Sequence, residues 1–323
     1  MNCHCCSGEC KKSGRFQNRN GIVQRYKCTR CDKSFSETQP LEGIRIERDK
    51  AVQVVEMISE TVGIRAAARL ARLDQGTVLR ILESAGEYCA RLLDAKIKNI
   101  KVPFVQADEV FSYVQHQPGC GVDEQDPNRG AFYVFLSIAK DEKLIINYRV
   151  SKRTGEDAEQ FLMDLRNRMA CRFQFTTDGF RGYCDHCGSG GNVENILGDC
   201  CDYATETKIM KKDPNFNGPR KYFAPYLVAI KRKPRFGNPD MDMATTCHAE
   251  RTNLTLRTFN RRFVRRTINF SKTVENHRHS VALFAAVFNF CRVHKSLGGR
   301  TPAMAAGLTD HVWNIEELLT TPI

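Results

Sequence analysis

Three acidic residues lie where carboxylates could hold divalent cations. Asp108 falls within the apolar stretch QADEVFSYV, Asp178 closes the stretch CRFQFTTD, and Glu250 lies in CHAERTN. Carboxylates brought together without a counter-charge repel one another and raise their pKa values, so a cluster of them implies bound cations. Two Mg²⁺ ions can activate a water or a hydroxyl and stabilise the leaving oxygen of a displacement at phosphorus. Each acid alone is weak support, because Asp at a strand end is more often a turn or cap residue.

Four amino-terminal cysteines have the spacing of a structural zinc site. Cys3 and Cys6 form one C-x-x-C pair, and Cys28 and Cys31 form another. Two such turns complete a closed tetrahedral Zn²⁺ shell, and a segment this short and polar is expected to need the metal to fold. The alternative is four unrelated buried cysteines. Nearby side chains that could replace one of the four ligands are His4, Cys5 and Cys10.

A second group of metal-binding side chains lies between Asp178 and the next predicted strand. It comprises Cys184, His186, Cys187, Cys200 and Cys201. These residues could hold a second zinc, but the last pair lacks the C-x-x-C spacing, which favours free thiols. The chain has 15 cysteines and no signal peptide, so a disulfide framework is not expected.

The acids need a scaffold, and the pattern beyond Lys101 predicts one. VPFVQADEVFSYV, AFYVFLSIA and KLIINYRVS are rich in β-branched and aromatic residues and predict three strands. A helix is predicted after Thr154, which forms a capping box with Asp157. CRFQFTTD and DYATETKIM predict two further strands, and CHAERTNLTLRTFNRRFVRRT predicts a helix that carries Glu250.

This element order is that of a ribonuclease-H-like core, in which carboxylates from the first strand, the end of the fourth strand and a late helix converge. Asp108, Asp178 and Glu250 occupy those three places. Because successive side chains on a strand point to opposite faces, we expect Asp108 to serve the site and Glu109 to lie on the surface. The segment Arg220 to Arg235, which mixes cations, aromatic residues and prolines, predicts an insertion loop near bound nucleic acid.

A helical region runs from Arg48 to about Ile97, with breaks at Gly63 and near Gly76. Its last part places apolar residues on one face, namely Ile81, Ala85, Tyr88 and Leu92. The region resembles a helix-turn-helix whose second helix would present Gln75, Thr77 and Arg80 to base edges. An ordinary helical hairpin is about as common. The zinc ribbon directly upstream favours DNA recognition.

The bulk composition points to a polyanion partner. Lys and Arg number 49 against 37 Asp and Glu, a net charge of +12, and the pI is about 9.1. Hydrophobic residues make up 41% of the chain, which is typical of a globular protein. The longest apolar run, VALFAAVFNF, is too short to cross a bilayer. We therefore expect a soluble, intracellular protein that binds nucleic acid and no membrane.

Several strings resemble transposases of the insertion-sequence-one type over nearly the whole chain. They are TTDGFRGY, CHAERTNLTLR, RRFVRRTINFSKTVENH, NFCRVHKSL and TPAMAAGLTDHVW. The resemblance implies a multidomain α+β protein with a zinc ribbon at 1–40, a helix-turn-helix segment at 44–100, a ribonuclease-H-like α/β/α mixed-sheet catalytic core at 101–300 and a packed tail at 301–323. It also implies the catalytic triad Asp108, Asp178 and Glu250. Phe111 stands where that family more usually has Trp.

The resemblance implies binding of terminal inverted repeats, cleavage and strand transfer with Mg²⁺ or Mn²⁺, a structural Zn²⁺, and a homodimer or larger assembly on DNA. Arg257, seven residues after Glu250, corresponds to the basic residue that contacts the DNA end. Arg261 and Arg265 follow Arg257 at i+4 spacing, and Arg25 belongs to the basic surroundings of the ribbon. Two alternatives remain open at this stage. One is a catalytically silent DNA-binding regulator or domesticated remnant, and the other is a nuclease of the same fold.

Overall fold

The computed structural model describes residues 3, 6, 8–18, 21–36, 41, 44, 46–117, 126–183, 191–211, 225–264 and 268–323. The amino-terminal part is a three-stranded antiparallel sheet of β1 (Cys10–Asn18), β2 (Gly21–Cys28) and β3 (Ser34–Ser36). β2 is the central strand and ends at Cys28, which places this cysteine beside the turn that carries Cys31. The sheet therefore positions the second C-x-x-C pair.

Three helices follow, with breaks where the sequence predicts them. They are α1 (Arg48–Ser59), α2 (Ile64–Ala71) and α3 (Gln75–Lys96). The side chain of Asp74 caps α3 by accepting a hydrogen bond from the backbone N–H of Gly76. All four apolar residues predicted to share a face of α3 are buried, which confirms that prediction; they are Ile81, Ala85, Tyr88 and Leu92.

The larger sheet is mixed and has strand order β6-β5-β4-β7-β8-β9. Its strands are β4 (Phe104–Val114), β5 (Gly130–Ala139), β6 (Ile145–Ser151), β7 (Phe173–Thr177), β8 (Cys201–Lys211) and β9 (Tyr226–Phe236). β4 pairs antiparallel to β5 and parallel to β7, and β7 pairs parallel to β8. The predicted strands are confirmed, and β4 lies inside the sheet with neighbours on both edges.

The remaining helices are α4 (Gly155–Arg168), α5 (Gly191–Leu197), α6 (Cys247–Phe259), α7 (Val274–Ala286), α8 (Pro302–Ala305) and α9 (Ile315–Thr320). Thr154 caps α4 by accepting from the N–H of Asp157, as predicted. A π-helical turn, Val287–Cys291, continues α7. Trp313 stacks on Phe290 of this turn, with the ring centres 4.5 Å apart. In the described part of the chain, the helices are too short or too polar to cross a membrane.

Helix α3 packs against α7, and one apolar core includes residues of α1, α2, α3, the large sheet and α7. Gly86 lies at the contact between the two helices, where a Cβ would lie 2.6 Å from Cα of His279. Such a distance is too short for any side chain, so the absence of one at Gly86 permits this crossing.

Two sequence predictions about local structure are wrong. The helix that carries Glu250 ends at Phe259, because Asn260 adopts an extended backbone and caps a 3-10 turn, Arg261–Phe263, through its side chain. The described residues of the segment predicted as an insertion loop, 225–235, lie almost wholly in β9, an edge strand in which Tyr226 is exposed, and residues 220–224 lie outside the described part. Lys and Pro obscure the strand pattern, but edge strands tolerate both.

Candidate active site

Two acids meet because β4 and β7 run parallel, and β7 ends at Thr177 while β4 continues to Val114. The register of β4 and β7 pairs Gln106 with Thr176. Asp108 and Asp178 lie two residues beyond these partners, each at the same level of the sheet. Carboxylate oxygens of Asp108, Glu109 and Asp178 all lie within 4.8 Å of one another, which is close enough for one cation to contact them.

Helix α6 brings the third predicted acid toward this pair. The backbone N–H groups of His248 and Ala249 donate to Oε1 of Gln106 at 2.9 and 3.2 Å, which fixes the first turn of α6 on β4. One turn later, Nδ2 of Asn253 donates to Oδ2 of Asp108 at 2.7 Å. Glu250 lies between these anchors and outside the group of three acids, and its charge still acts on Asp108.

The pKa of Asp108 is raised to about 6, first by burial and then by the negative charges of Asp178 and Glu250. Hydrogen bonds from the N–H of Glu109 and the amide of Asn253 oppose this rise, because they stabilise the ionised carboxylate. A carboxyl group that is destabilised by neighbouring carboxylates is stabilised by any cation that they share. The electrostatics therefore favour a divalent ion at this place.

Glu109 corrects a prediction. Its side chain is 1% exposed, not on the surface, and the carboxylate belongs to the acidic group. The strand alternation does separate Asp108 from Glu109, but β4 is an interior strand and the face opposite Asp108 is also covered. Asp178 lies past the end of β7, where Gly179 turns the chain with φ of 84°, so its carboxylate can approach both acids. Burial, and then the charge of Asp178, raise the pKa of Glu109 to about 7.

Two cations contact the acids. Arg153, between β6 and α4, donates from Nη2 to Oε2 of Glu109 at 2.8 Å and lies 3.9 Å from Oδ2 of Asp178. Lys208 of β8 forms an ion pair with Glu250, whose other oxygen accepts from the hydroxyl of Thr246 at 3.1 Å. Each cation offsets the repulsion among the carboxylates.

The four predicted zinc ligands come together in the amino-terminal part of the chain. The Sγ atoms of Cys3, Cys6, Cys28 and Cys31 lie within 4.8 Å of one another, with Cys3–Cys31 and Cys6–Cys28 both at 3.5 Å. A tetrahedral zinc with Zn–S bonds of about 2.3 Å requires sulfurs roughly 3.8 Å apart, so the set fits this ion. The N–H groups of Cys31 and Arg30 donate to Cys28 and lower the pKa of its thiol to about 6.

Cys10 lies outside the amino-terminal cluster, and the second predicted zinc site falls only partly within the described residues. The thiol of Cys10 donates to the carbonyl of Gly8 and is not one of the four clustered sulfurs. Cys200 is half-buried and Cys201 is buried, both as free thiols. The residues of these groups that lie outside the described part are His4, Cys5, Cys184, His186 and Cys187.

The predicted DNA contacts are spread over three regions. Gln75 and Arg80 are exposed on the first turns of α3, and Nη2 of Arg80 donates to the half-buried Thr77 at 3.3 Å. Arg257 is half-buried in the last turn of α6, whereas Arg261 is exposed in the 3-10 turn and not on the predicted helix face. Arg25 of β2 is exposed and lies over the ring of Phe16 at 4.9 Å. Arg265 lies outside the described residues.

Sequence reasoning missed the groups that hold the acids in place. These are Gln106, Glu109, Arg153, Lys208 and Asn253. Gln106 and Glu109 carry a usable signal, since polar residues in an apolar interior strand need buried partners. Asn253 follows Glu250 by three residues and so lies on the same helix face. Nothing in the local pattern distinguishes Arg153 or Lys208 from the many other cations of the chain.

No family model and no curated protein sequence matches the chain. Among solved structures, one that is similar is a crystal structure of the Mos1 mariner paired end complex with Mn, at 14% identity and a TM-score of 0.21 over 46% of this chain and 55% of that chain. Another is the Mos1 strand transfer complex, at 14% identity and a TM-score of 0.22 over 48% of this chain and 57% of that chain. A third is a cryo-EM structure of the piggyBac transposase synaptic complex with hairpin DNA, at 9% identity and a TM-score of 0.39 over 86% of this chain and 72% of that chain. The chain spans little more than half the length of the Mos1 chains, and likenesses this weak do not extend to activity, partners or site residues.

Proposed function

We propose that the chain is a DNA transposase of the DDE type, with a ribonuclease-H-like catalytic core and Asp108, Asp178 and Glu250 as its catalytic acids. The observation that carries the proposal is the position of acids from three separate elements: carboxylate oxygens of Asp108 on β4 and of Asp178 after β7 lie within 4.8 Å of each other, and the charge of Glu250 on α6 acts on Asp108. Such an arrangement suits metal-dependent displacement at a phosphodiester. The sequence strings that resemble insertion-sequence-one transposases favour one reaction, namely the cleavage and joining of transposon ends.

The acids fit divalent magnesium or manganese. Their ligand atoms are all oxygens, which both ions prefer, and the site is partly open, because the side chains of Asp178 and Glu250 are each 40% exposed. With all four carboxylates ionised, Arg153 and Lys208 leave two negative charges uncompensated. When bound, the ions would supply an activated nucleophile and stabilise the leaving oxygen. The chain's own residues hold and orient the ligands through Asn253, Thr246 and the backbone of α6.

DNA recognition in this proposal falls to the amino-terminal half. The zinc ribbon held by Cys3, Cys6, Cys28 and Cys31 would present Arg25, and the helix-turn-helix would present the amino end of α3. Arg257 and Arg261 would meet the cleaved end, and Arg265 extends this basic series. Since joining needs two ends in one complex, the working form is a homodimer or larger assembly on DNA, in the cytoplasm of a prokaryotic cell. The proposal assigns four segments: the zinc ribbon at 1–40, the helix-turn-helix segment at 44–100, the catalytic core at 101–300 and the packed tail at 301–323.

A strand-transfer assay tests the proposal. Purified protein is incubated with Mg²⁺ or Mn²⁺, a labelled duplex bearing the repeats that flank its gene, and a supercoiled target plasmid. Joined product should form with the native protein and disappear with Asp178→Asn. Cleavage without joining would favour a nuclease of the same fold. Tight binding with no cleavage under either metal would favour the catalytically silent regulator and would refute the proposed enzyme.

A further inference from the structure

Arg153 is held in a defined position at the rim of the acidic group. Its Nε and Nη2 both donate to Oε2 of Glu109, at 3.2 and 2.8 Å. The guanidinium carbon lies 4.1 Å from the ring centre of Phe180 and 5.6 Å from that of Tyr133. Stacking fixes the plane of the guanidinium, and the carboxylate fixes its direction within that plane.

This geometry leaves part of the guanidinium unused. Among the residues that the structure describes, no acceptor is bonded to Nη1 of Arg153, and the side chain is 35% exposed. Nη2 lies 3.9 Å from Oδ2 of Asp178, so the guanidinium stands beside that acid. A planar guanidinium with free donors is suited to a phosphate oxygen, which it can bind through charge-assisted hydrogen bonds.

Glu109 differs from Asp178 and Glu250 in its access to that opening. Its side chain is 1% exposed, while those of Asp178 and Glu250 are each 40% exposed. Its Oε1 is buried close to Tyr183, whose hydroxyl interacts with the Glu109 carboxylate. A cation that brings water molecules and exchanges with solvent reaches the two open carboxylates more readily than this closed one.

We propose that Arg153 forms an anion subsite for a DNA phosphodiester beside Asp178, and that Glu109 is the positioning residue that holds Arg153 rather than a metal ligand. The inference rests on the proposed function, because it takes DNA as the substrate of the acidic site. It divides the acidic residues by role. Asp108, Asp178 and Glu250 hold the cation, and Glu109 orients the cationic side chain that meets the phosphate.

The first experiment measures Mn²⁺ binding to the full-length protein by electron paramagnetic resonance, without DNA. Glu109→Gln and Arg153→Gln should leave the dissociation constant for Mn²⁺ within about twofold of the native value, or lower it. Asp178→Asn should raise it by about tenfold or more, since it removes a ligand. If Glu109→Gln weakens Mn²⁺ binding as much as Asp178→Asn does, Glu109 is a metal ligand and the proposal is overturned.

The second experiment measures binding of a short fluorescent duplex by anisotropy at several KCl concentrations, with Ca²⁺ in place of a catalytic metal. Arg153→Gln should reduce the slope of log K against log salt by about 0.9, the value for one lost phosphate contact. Glu109→Gln should reduce it similarly, and the double variant should show no further loss, because both changes remove one contact.

Arg149 offers a matched control. Its Nε and Nη2 donate to Oδ1 of Asp157 at 3.3 and 3.2 Å, and its side chain is 34% exposed, so it repeats the geometry of Arg153 away from the acids. Arg149→Gln should leave the salt slope unchanged. An unchanged slope in Arg153→Gln would also overturn the proposal. Arg153→Lys replaces that variant if it unfolds, and should retain the charge but bind the duplex more weakly than the native protein.

These measurements remain informative if the enzyme proposal fails. A native protein that neither cleaves nor joins DNA refutes the proposed function, whereas Mn²⁺ affinity and the salt slope are measured without any reaction. Where the native protein is active, Arg153→Gln and Glu109→Gln should raise the KM for duplex DNA by about 10- to 100-fold, the range for losing a charge-assisted hydrogen bond.

Discussion

The amide of Asn253 on α6 donates a 2.7 Å hydrogen bond from Nδ2 to Oδ2 of Asp108 on β4. This bond ties the helix that carries one predicted catalytic acid to the strand that carries another. The other oxygen of Asp108, Oδ1, accepts a hydrogen bond from the backbone N–H of Glu109 at 2.9 Å. The two contacts orient the carboxylate before any cation binds.

Replacing Asn253 should therefore impair the acidic site without unfolding the chain. We expect Asn253→Ala to weaken Mn²⁺ binding or strand transfer by about 10- to 100-fold, as loss of a residue that orients a metal ligand commonly does. Thr255→Ala on the same helix is the control, because its hydroxyl bonds only to the carbonyl of Arg251. Equal effects of the two substitutions would show that α6 responds to any change and that the bond to Asp108 has no special role.

The close crossing of α3 and α7 predicts a stability effect at Gly86. Ala favours helix over Gly by about 1 kcal/mol, yet a Cβ at this position would meet the backbone of His279. We expect Gly86→Ala to lower the free energy of unfolding by about 1–3 kcal/mol, the usual range for overpacking. Chemical denaturation measures it. Gly155→Ala, where a Cβ meets only Asn192 at 4.0 Å, should be neutral or slightly stabilising.

The zinc site predicts one tightly bound Zn²⁺ per chain. Metal analysis of the purified protein should find one equivalent, and Cys28→Ser should reduce it strongly, because the closed site needs all four sulfurs. Chelation should unfold the amino-terminal sheet and leave the large sheet intact, which circular dichroism and limited proteolysis would detect. Cys247→Ser changes an exposed thiol outside the cluster and should retain the zinc. Full occupancy after Cys28→Ser would exclude the four-cysteine site.

The buried His277 predicts a loss of stability in acid. Its Nδ1 lies 2.7 Å from the hydroxyl of Ser271 and its Nε2 2.9 Å from that of Ser112, while burial and then the charge of Arg262 lower its pKa to about 3. In the unfolded chain the pKa of His277 is near 6.5, so this side chain binds a proton more readily there than in the folded chain. The contribution of neutral His277 to the free energy of unfolding is therefore complete above about pH 6.5 and falls as the pH drops toward 3. The slope reaches about 1.4 kcal/mol per pH unit.

Comparison with His277→Gln isolates this contribution. Asp108 and Glu109 have raised pKa values, so their protonation acts in the opposite direction, but it is common to both proteins and cancels in the difference. The native protein should lose stability relative to the variant as the pH falls from 6.5 to 4.5 in urea titrations. A constant difference across that range would mean that folding does not lower the pKa of His277.

The sequence predicts the strands well because their patterns follow burial on the sheet. β4, β5 and β7 are dense in β-branched and aromatic residues, and the capped start of α4 is set by Thr154 and Asp157, which are neighbours in the chain. The sequence does not predict features that depend on contacts between residues far apart in the chain. Glu109 is buried where Arg153 and Tyr183, both distant in the sequence, lie against it, and α6 stops where Asn260 bonds to the carbonyl of Ser280 of α7. Neither contact is visible in a local pattern.

Helix α3 sets a fixed distance between its two ends. At about 1.5 Å per residue its 22 residues span roughly 33 Å, with Gln75 at the exposed end. Further along the helix, Gly86 packs against α7, and the hydroxyl of Tyr88 donates a hydrogen bond to the carbonyl of Thr321 near the carboxy terminus. No hinge interrupts the helix between these points. Whatever molecule meets Gln75 is therefore held at a set distance from Asp108, and a change in the length of α3 would alter where the acidic site falls on it.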